Sequence, residues 1–245
     1  MSLNLTSFDK MTPNAVKYFW KSRHEAAQNQ QTRGIADQGN RSSVTAGKNL
    51  NGFISMIKQL IIDNGIPNVE IHTDSKTNLI IPGYFRPTKN WDLLVVSNNK
   101  LLAAIEFKSQ VGPSFGNNFN NRIEEAIGNA TDLNTAFREG AFGESQKPFV
   151  GYFFVLEDCT KSMSPVRFTS PHFPAFEEFN NTSYASRYEI FCRKLVQEQL
   201  YDSASLLLTK SSDIKKGNYT FLSELTSPKR FAVSLASKIA GMSIS

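Results

Sequence analysis

The sequence predicts an α/β fold with a mixed central β-sheet flanked by helices, and three observations lead there. Two β-prone runs, Trp91 to Val96 and Leu101 to Ile105, are separated by Ser97-Asn98-Asn99-Lys100, a turn-rich segment of hairpin-loop length. Phe149 to Leu156 is almost entirely apolar and β-prone, the pattern of a central strand buried on both faces. Around these strands, several segments carry apolar residues at helical spacing.

In chain order, Thr12-Pro13 opens a predicted helix over 13–29, because threonine can cap and proline suits the first helical position. Its apolar members include Val16, Phe19 and Trp20. The stretch 28–47 is polar and reads as a loop. Residues 44–64 then show apolar side chains at 50, 53, 54, 57, 60 and 61, one helical face, stopped by Gly65-Ile66-Pro67. Strands are expected at 69–72 and 79–81, before Pro82-Gly83 turns the chain toward the hairpin. A loop over 112–118 leads into a helix at about 119–139. After the apolar strand, Pro165, Pro171 and Pro174 make the chain irregular, and Phe168, Phe173, Phe176 and Phe179 are expected to pack across the domain. A helix over 184–200, a strand over 201–209 and a helix over 223–240 complete the chain.

A length of 245 residues with 40% hydrophobic and 20% charged residues suits one globular domain, spanning 1–245, with one core. No apolar run approaches the ~20 residues of a membrane span, so no membrane association is expected. Met1-Ser2-Leu3-Asn4 does not begin a basic-then-apolar secretion signal, and a cytoplasmic location is expected. Cys159 and Cys192 are too few and too far apart for a disulfide scaffold or a structural zinc site. His24, His72 and His172 are scattered and carry no catalytic assignment. The net charge of +5 favours a polyanionic partner modestly. Basic candidates for phosphate contact are Lys17, Lys21, Arg23, Arg33, Arg41, Lys48, Lys215, Lys216, Lys229 and Arg230, each of which alone reads as a solvated surface charge.

The hairpin carries the chemistry. Residues at i and i+2 of a strand share a face, so Glu106 and Lys108 project together while Phe107 turns into the core, and antiparallel pairing brings Asp92 back beside them. Two carboxylates close together suit a hard divalent cation such as magnesium, which takes oxygen ligands and keeps several waters. An adjacent ammonium can hold a water that attacks phosphorus. By itself Glu-x-Lys is a weak signal, because most such pairs are solvated salt bridges. Its position at the polar ends of strongly apolar strands strengthens it, since a carboxylate there needs partners to offset desolvation.

Asp92 followed by Glu106-Phe107-Lys108 resembles the PD-(D/E)XK nuclease motif, with Trp91 where that motif has a loosely kept proline. The surrounding words, Asn90 to Asp92, Ala104 to Asn118, Phe119-Asn120-Asn121-Arg122 and Thr135 to Gly140, are similar to the XhoI family of type II restriction endonucleases. The likeness continues through Ser183-Tyr184, Arg187-Tyr188, Cys192, Lys194-Leu195-Val196 and Leu200-Tyr201. It implies a restriction-endonuclease-like core and a magnesium-dependent homodimer that cuts both strands of a palindromic DNA duplex. The implied site is CTCGAG, cut after the first C. It also implies that Asp92, Glu106 and the Phe107 backbone carbonyl hold Mg2+ while Lys108 orients the attacking oxygen.

A further acid often completes such sites, and Glu70 and Asp63 are the candidates, Glu70 being preferred. Gln110 continues the alternation past Lys108 and can bind a phosphate or a water. Asn117, Asn118, Asn120, Asn121 and Arg122 lie near a helix start, where asparagines cap backbone N–H groups. Four asparagines in so short a stretch exceed one cap, and Asn and Arg are the residues that pair bidentately with adenine and guanine. Two other readings stay open: a repair or recombination nuclease of the same fold, for which no Walker A motif speaks, and a DNA-binding protein without activity, against which the intact triplet speaks.

Overall fold

A computed structural model describes residues 3–32, 48–64, 69–74 and 77–242. Arg33 and Arg41, most of the polar stretch 28–47, the first residues of the helix expected at 44–64 and its Gly65-Ile66-Pro67 stop lie outside the described residues. The elements are α1 (Thr6–Thr32), a 3-10 turn (Lys48–Leu50), α2 (Asn51–Asp63), β1 (Val69–His72), β2 (Ile80–Pro82), β3 (Thr88–Asn90), β4 (Leu93–Ser97) and β5 (Lys100–Gln110). They continue with α3 (Phe115–Arg138), β6 (Phe149–Glu157), the short α4 (Thr160–Met163), α5 (Tyr184–Gln197), β7 (Ser203–Thr209) and α6 (Pro228–Met242).

The main sheet has five strands in the order β1-β4-β5-β6-β7. β4 runs antiparallel to both its neighbours, β1 and β5, whereas β5, β6 and β7 run parallel. The sheet is therefore mixed and flanked by helices, as the sequence predicts. Asn98 and Asn99 make the β4–β5 turn at φ 48° and 61°, the left-handed pair a two-residue hairpin loop requires and asparagine tolerates. Parallel strands need crossovers, supplied by α3 between β5 and β6 and by α5 between β6 and β7. Both helices cover one sheet face, where Phe115, Phe119, Leu133, Tyr188 and Leu195 meet Ala104, Tyr152, Phe154 and Leu206. The other face is covered by α1, α2 and α6, where Phe19, Phe53 and Phe231 meet Ile105, Phe107 and Phe153. β6 lies between β5 and β7 and is buried from Phe149 through Leu156, which is why its sequence lacks alternation.

Four expectations are corrected. Helix α1 begins at Thr6, not at Pro13, because Phe8 is buried against the core and packing carries the helix through the proline. Helix α3 begins at Phe115 after Ser114, since Phe115 and Phe119 both pack on Tyr184, with ring centroids 5.8 and 6.1 Å away. The strand expected at 79–81 does not join the main sheet; β2 pairs with β3, which the sequence reading did not predict, as a separate two-stranded arm. Finally, Phe168, Phe173 and Phe176 are exposed, the last two at 79% and 78%, and Phe179 is half-buried. Helices already fill both faces of the sheet, so the proline-punctuated segment has no core to enter.

Candidate active site

The hairpin register places Leu93 opposite Ile105, so Asp92, one residue before β4, comes opposite Glu106. Its Oδ2 accepts a hydrogen bond from the Phe107 N–H at 2.7 Å, which ties the carboxylate to the strand bearing Glu106 and Lys108. Phe107 turns its ring into the α1/α2/α6 face, and Glu106 and Lys108 point to the α3/α5 face, where Tyr152 and Ala104 also lie.

Glu106 is 1% exposed, and both of its carboxylate oxygens have polar partners. The Lys108 Nζ lies 2.5 Å from Glu106 Oε1. The Lys89 Nζ, from β3, stands 3.4 Å from each carboxylate oxygen and packs over the Trp91 ring at 5.1 Å. Asn129, from the middle of α3, donates from Nδ2 to Glu106 Oε2 at 2.7 Å. The Asn129 Oδ1 accepts from an Arg86 Nη2 at 2.6 Å, and Arg86 Nε donates to Asp132 at 2.7 Å. Asp132 also accepts the backbone N–H groups of Tyr84 and Phe85 at 2.7 and 2.8 Å, so one buried carboxylate fastens the arm to α3. Gly83 permits that approach, because a Cβ there would collide with the Asp132 carboxylate.

The two acids are pushed in opposite directions. Burial raises the Asp92 carboxyl above its ordinary value; the charge of Lys108 opposes this and that of Glu106 reinforces it. Burial also acts to raise Glu106, but Lys108 and Lys89 outweigh it and hold this carboxyl below its usual range. Lys108 is raised: burial works against its charge, and Glu106 and Asp92 prevail. Neighbouring carboxylates with divergent affinities for protons are a mark of functional sites.

The donor set fits a hard divalent cation. Asp92 and Glu106 are like charges in a poorly solvated place, which an oxygen-seeking cation would relieve. No group of three His, Cys, Asp or Glu side chains suited to a metal occurs among the described residues, so side-chain ligation would rest on two carboxylates with water completing the shell. Glu70 is not brought to this centre. It pairs with Val96 near the turn end of the hairpin, is 74% exposed and faces His72 at 3.4 Å. Asp63 ends α2 on the opposite face of the sheet and accepts from Gln59.

Gln110 does share the Glu106 side of β5, but it is 2% exposed and its amide donates to the Val111 carbonyl, so it presents no free face to a phosphate. Lys48 is exposed in the layer of α1 and α2, behind the sheet. Lys215, Lys216, Lys229 and Arg230 are also exposed on that side, where Lys229 faces Asp9 at 3.4 Å. Lys21 there faces Glu25, whereas Arg23 is buried over the Phe19 ring and its pKa is lowered by that burial, against the charge of Glu157. Asn117, Asn118, Asn120, Asn121 and Arg122 occupy the first turns of α3, with Asn117, Asn120 and Asn121 exposed. Ser114 holds the cap position, so none of these asparagines is the helix cap. Arg122 bonds Glu125 at 2.7 Å and lies close enough to Lys108 for their charges to oppose.

The sequence reading missed Lys89, Arg86, Asn129 and Asp132. Lys89 precedes Asp92 by three residues, so a cation beside the motif is a signal the sequence does carry. Asn129 had no local signal, since it joins Glu106 across 23 residues of chain.

The family profile described as restriction endonuclease XhoI matches residues 29–221. This chain belongs to that family. Among its relatives, the type II restriction enzyme XhoI of Xanthomonas vasicola is 50% identical over 196 residues, which is 80% of this chain and 78% of the relative. The type II restriction enzyme BstVI of Geobacillus stearothermophilus is 52% identical over 75% of this chain and 83% of its own. AbrI of Azospirillum brasilense, also a type II restriction enzyme, is 51% identical over 71% of this chain and 77% of its own. No solved structure matches. As a member of the XhoI family the chain is a type II restriction endonuclease, a site-specific deoxyribonuclease whose substrate is DNA, and enzymes of this type generally require a divalent metal. No helix among the described residues is long and apolar enough to cross a membrane.

Proposed function

We propose that this XhoI-family enzyme uses magnesium to hydrolyse both strands of a palindromic duplex, with CTCGAG as its site and cleavage after the first C. The observation that carries the reading is the convergence of Asp92, Glu106 and Lys108 at one end of the β4–β5 hairpin. The target sequence rests on family likeness alone.

In this proposal Asp92 and Glu106 present carboxylate oxygens to the ion, with the Phe107 carbonyl beside them. A bound divalent cation supplies charge neutralisation at the scissile phosphate and acidifies a water. Lys108, whose raised pKa keeps it cationic, orients the attacking oxygen and offsets negative charge developing on phosphorus. Lys89 adds a second positive charge on Glu106, which keeps that carboxylate ionised and in place. The exposed Asn117, Asn120 and Asn121, with Asn118 and Arg122, meet the DNA from the start of α3, where asparagine and arginine side chains can read base edges. A palindrome is matched by two-fold protein symmetry, so we assign the enzyme as a homodimer of single-domain chains acting in the cytoplasm.

Digestion of a plasmid of known sequence with magnesium, followed by sequencing of the fragment ends, tests target and stagger together. Four-base 5′ overhangs at every CTCGAG are expected. Cuts at another palindrome would remove the target sequence, and random ends would remove sequence-specific cleavage.

A further inference from the structure

Glu106 is held by a residue that lies outside the nuclease motif. Asn129 is buried in α3 at 6% exposed, and a side-chain amide has two different ends, one that only donates and one that only accepts. A guanidinium can only donate. Because Arg86 occupies the Oδ1 end at 2.6 Å, the Nδ2 end is left for Glu106 at 2.7 Å, and the amide cannot turn over without setting donor against donor. Arg86 is itself fixed by its Nε bond to Asp132, which is anchored by two backbone N–H groups of the arm. The row Asp132, Arg86, Asn129, Glu106 thus alternates acceptor and donor at each step, ending on a carboxylate oxygen.

We propose that Asn129 is the positioning residue for Glu106: its amide, polarised by Arg86, immobilises Oε2 so that the carboxylate meets the divalent cation in one orientation. The proposal rests on the assignment of Glu106 as a metal ligand. Partners that orient a metal-ligating carboxylate typically set about 10–100-fold of metal affinity or activity. The same row joins the catalytic strand to the arm that carries the exposed Tyr84 and Phe85, so the arm's seating on α3 and the aim of Glu106 are one mechanical unit.

The test uses the full-length protein with Asn129→Asp, Asn129→Ala and Arg86→Gln. Asn129→Asp is nearly isosteric and keeps an acceptor for Arg86, but loses the donor and sets a carboxylate against Glu106. Three quantities are read: Mn2+ binding to the free protein, the magnesium concentration for half-maximal single-turnover cleavage, and duplex affinity in chelator. Asn129→Asp and Asn129→Ala should need about 10–100-fold more metal in both metal measurements, with duplex affinity unchanged. Arg86→Gln, which releases the lock on the amide, should shift them in the same direction by less. Wild-type metal dependence in Asn129→Ala would overturn the proposal, because that variant removes the donor to Glu106 without adding a charge. A loss of duplex affinity that parallels the loss of rate would also overturn it, by assigning Asn129 to DNA binding or general folding. If the wild-type protein cuts no duplex while the variants still bind Mn2+ more weakly, the nuclease chemistry fails and the positioning role stands.

Discussion

The two faces of the central sheet are made by the same strands and bury different chemistry. Along β5, Ile105 and Phe107 enter a face filled by α1, α2 and α6, where the buried ring pairs Phe53–Phe153 and Phe107–Phe153 pack in tilted contact with centroids 5.4 and 5.6 Å apart. One residue out of phase, Glu106 and Lys108 enter the α3/α5 face among Asn129, Lys89 and Asp92. On the first face each side chain contributes by the apolar area it removes from water, so replacements are felt as stability. On the second, burial of each charge costs desolvation, which the neighbouring charges outweigh at Glu106 and Lys108 but not at Asp92, so replacements there should be felt in the chemistry proposed for the site. Adjacent residues of one strand therefore divide the work, and substitutions at 106 and 107 should separate activity from stability.

The widest separation is expected at the acids. Asp92→Ala and Glu106→Ala should lower the cleavage rate on the order of 10³-fold or more while specific duplex binding, measured without metal, is retained. Near wild-type cutting by either variant would reject the site. Phe107→Ala should do the reverse, costing about 3–5 kcal/mol in urea unfolding with cleavage recovered under conditions where the variant is folded. If it instead removes activity from a folded protein, the two faces are not separable. Lys108→Ala should slow single-turnover cleavage about 10²–10³-fold with little change in duplex affinity. Weak binding with normal cutting at saturation would move Lys108 from the attacking oxygen to a phosphate. Smaller still, replacing Asn120, Asn121 or Arg122 should cost about 1–3 kcal/mol of binding or discrimination, read by titrating cognate and single-mismatch duplexes. Three silent substitutions would leave the start of α3 with no part in recognition.

The finest comparison is between the two acids. Asp92 has a raised carboxyl, so its contribution to stability is complete below the ordinary value of 3.8 and is lost as pH rises through the raised one. Glu106 has a lowered carboxyl, so its contribution is present above the ordinary 4.5 and is lost as pH falls through the lowered value. In chelator, Asp92→Asn should therefore remove a decline in melting temperature with rising pH, and thermal scans from acid to neutral pH read it directly. An unchanged slope would mean that burial does not raise the Asp92 carboxyl.

Where the pattern was local, it was legible. The period of two along β5 put Glu106 and Lys108 together, and the unbroken apolar run at 149–156 announced a doubly covered strand, because both signals depend only on which way successive side chains point. The hairpin returned Asp92 to β5, but a one-residue shift of register between Val95 and Val96, which turn length does not announce, sets it opposite Glu106. The helix starts were misplaced for a different reason: Phe8 and Phe115 extend α1 and α3 beyond their sequence signals by packing on distant partners. Nothing in the spacing of Phe168, Phe173 and Phe176 distinguishes core from surface, and only the helices already covering the sheet exclude them.

What the sequence by itself determined is that one hairpin carries Asp92, Glu106 and Lys108 together, since these lie within one antiparallel pair and strand geometry relates them. The remainder of the site was decided by tertiary structure. Lys89 arrives because the arm folds back at Trp91, and Asn129 because the crossover that a parallel β5–β6 pair demands lays α3 over Glu106. An asparagine in mid-helix looks like any solvated position until a carboxylate and a guanidinium close on its two ends. That polarity belongs to neither residue's local sequence and exists only once sheet, arm and helix are packed together.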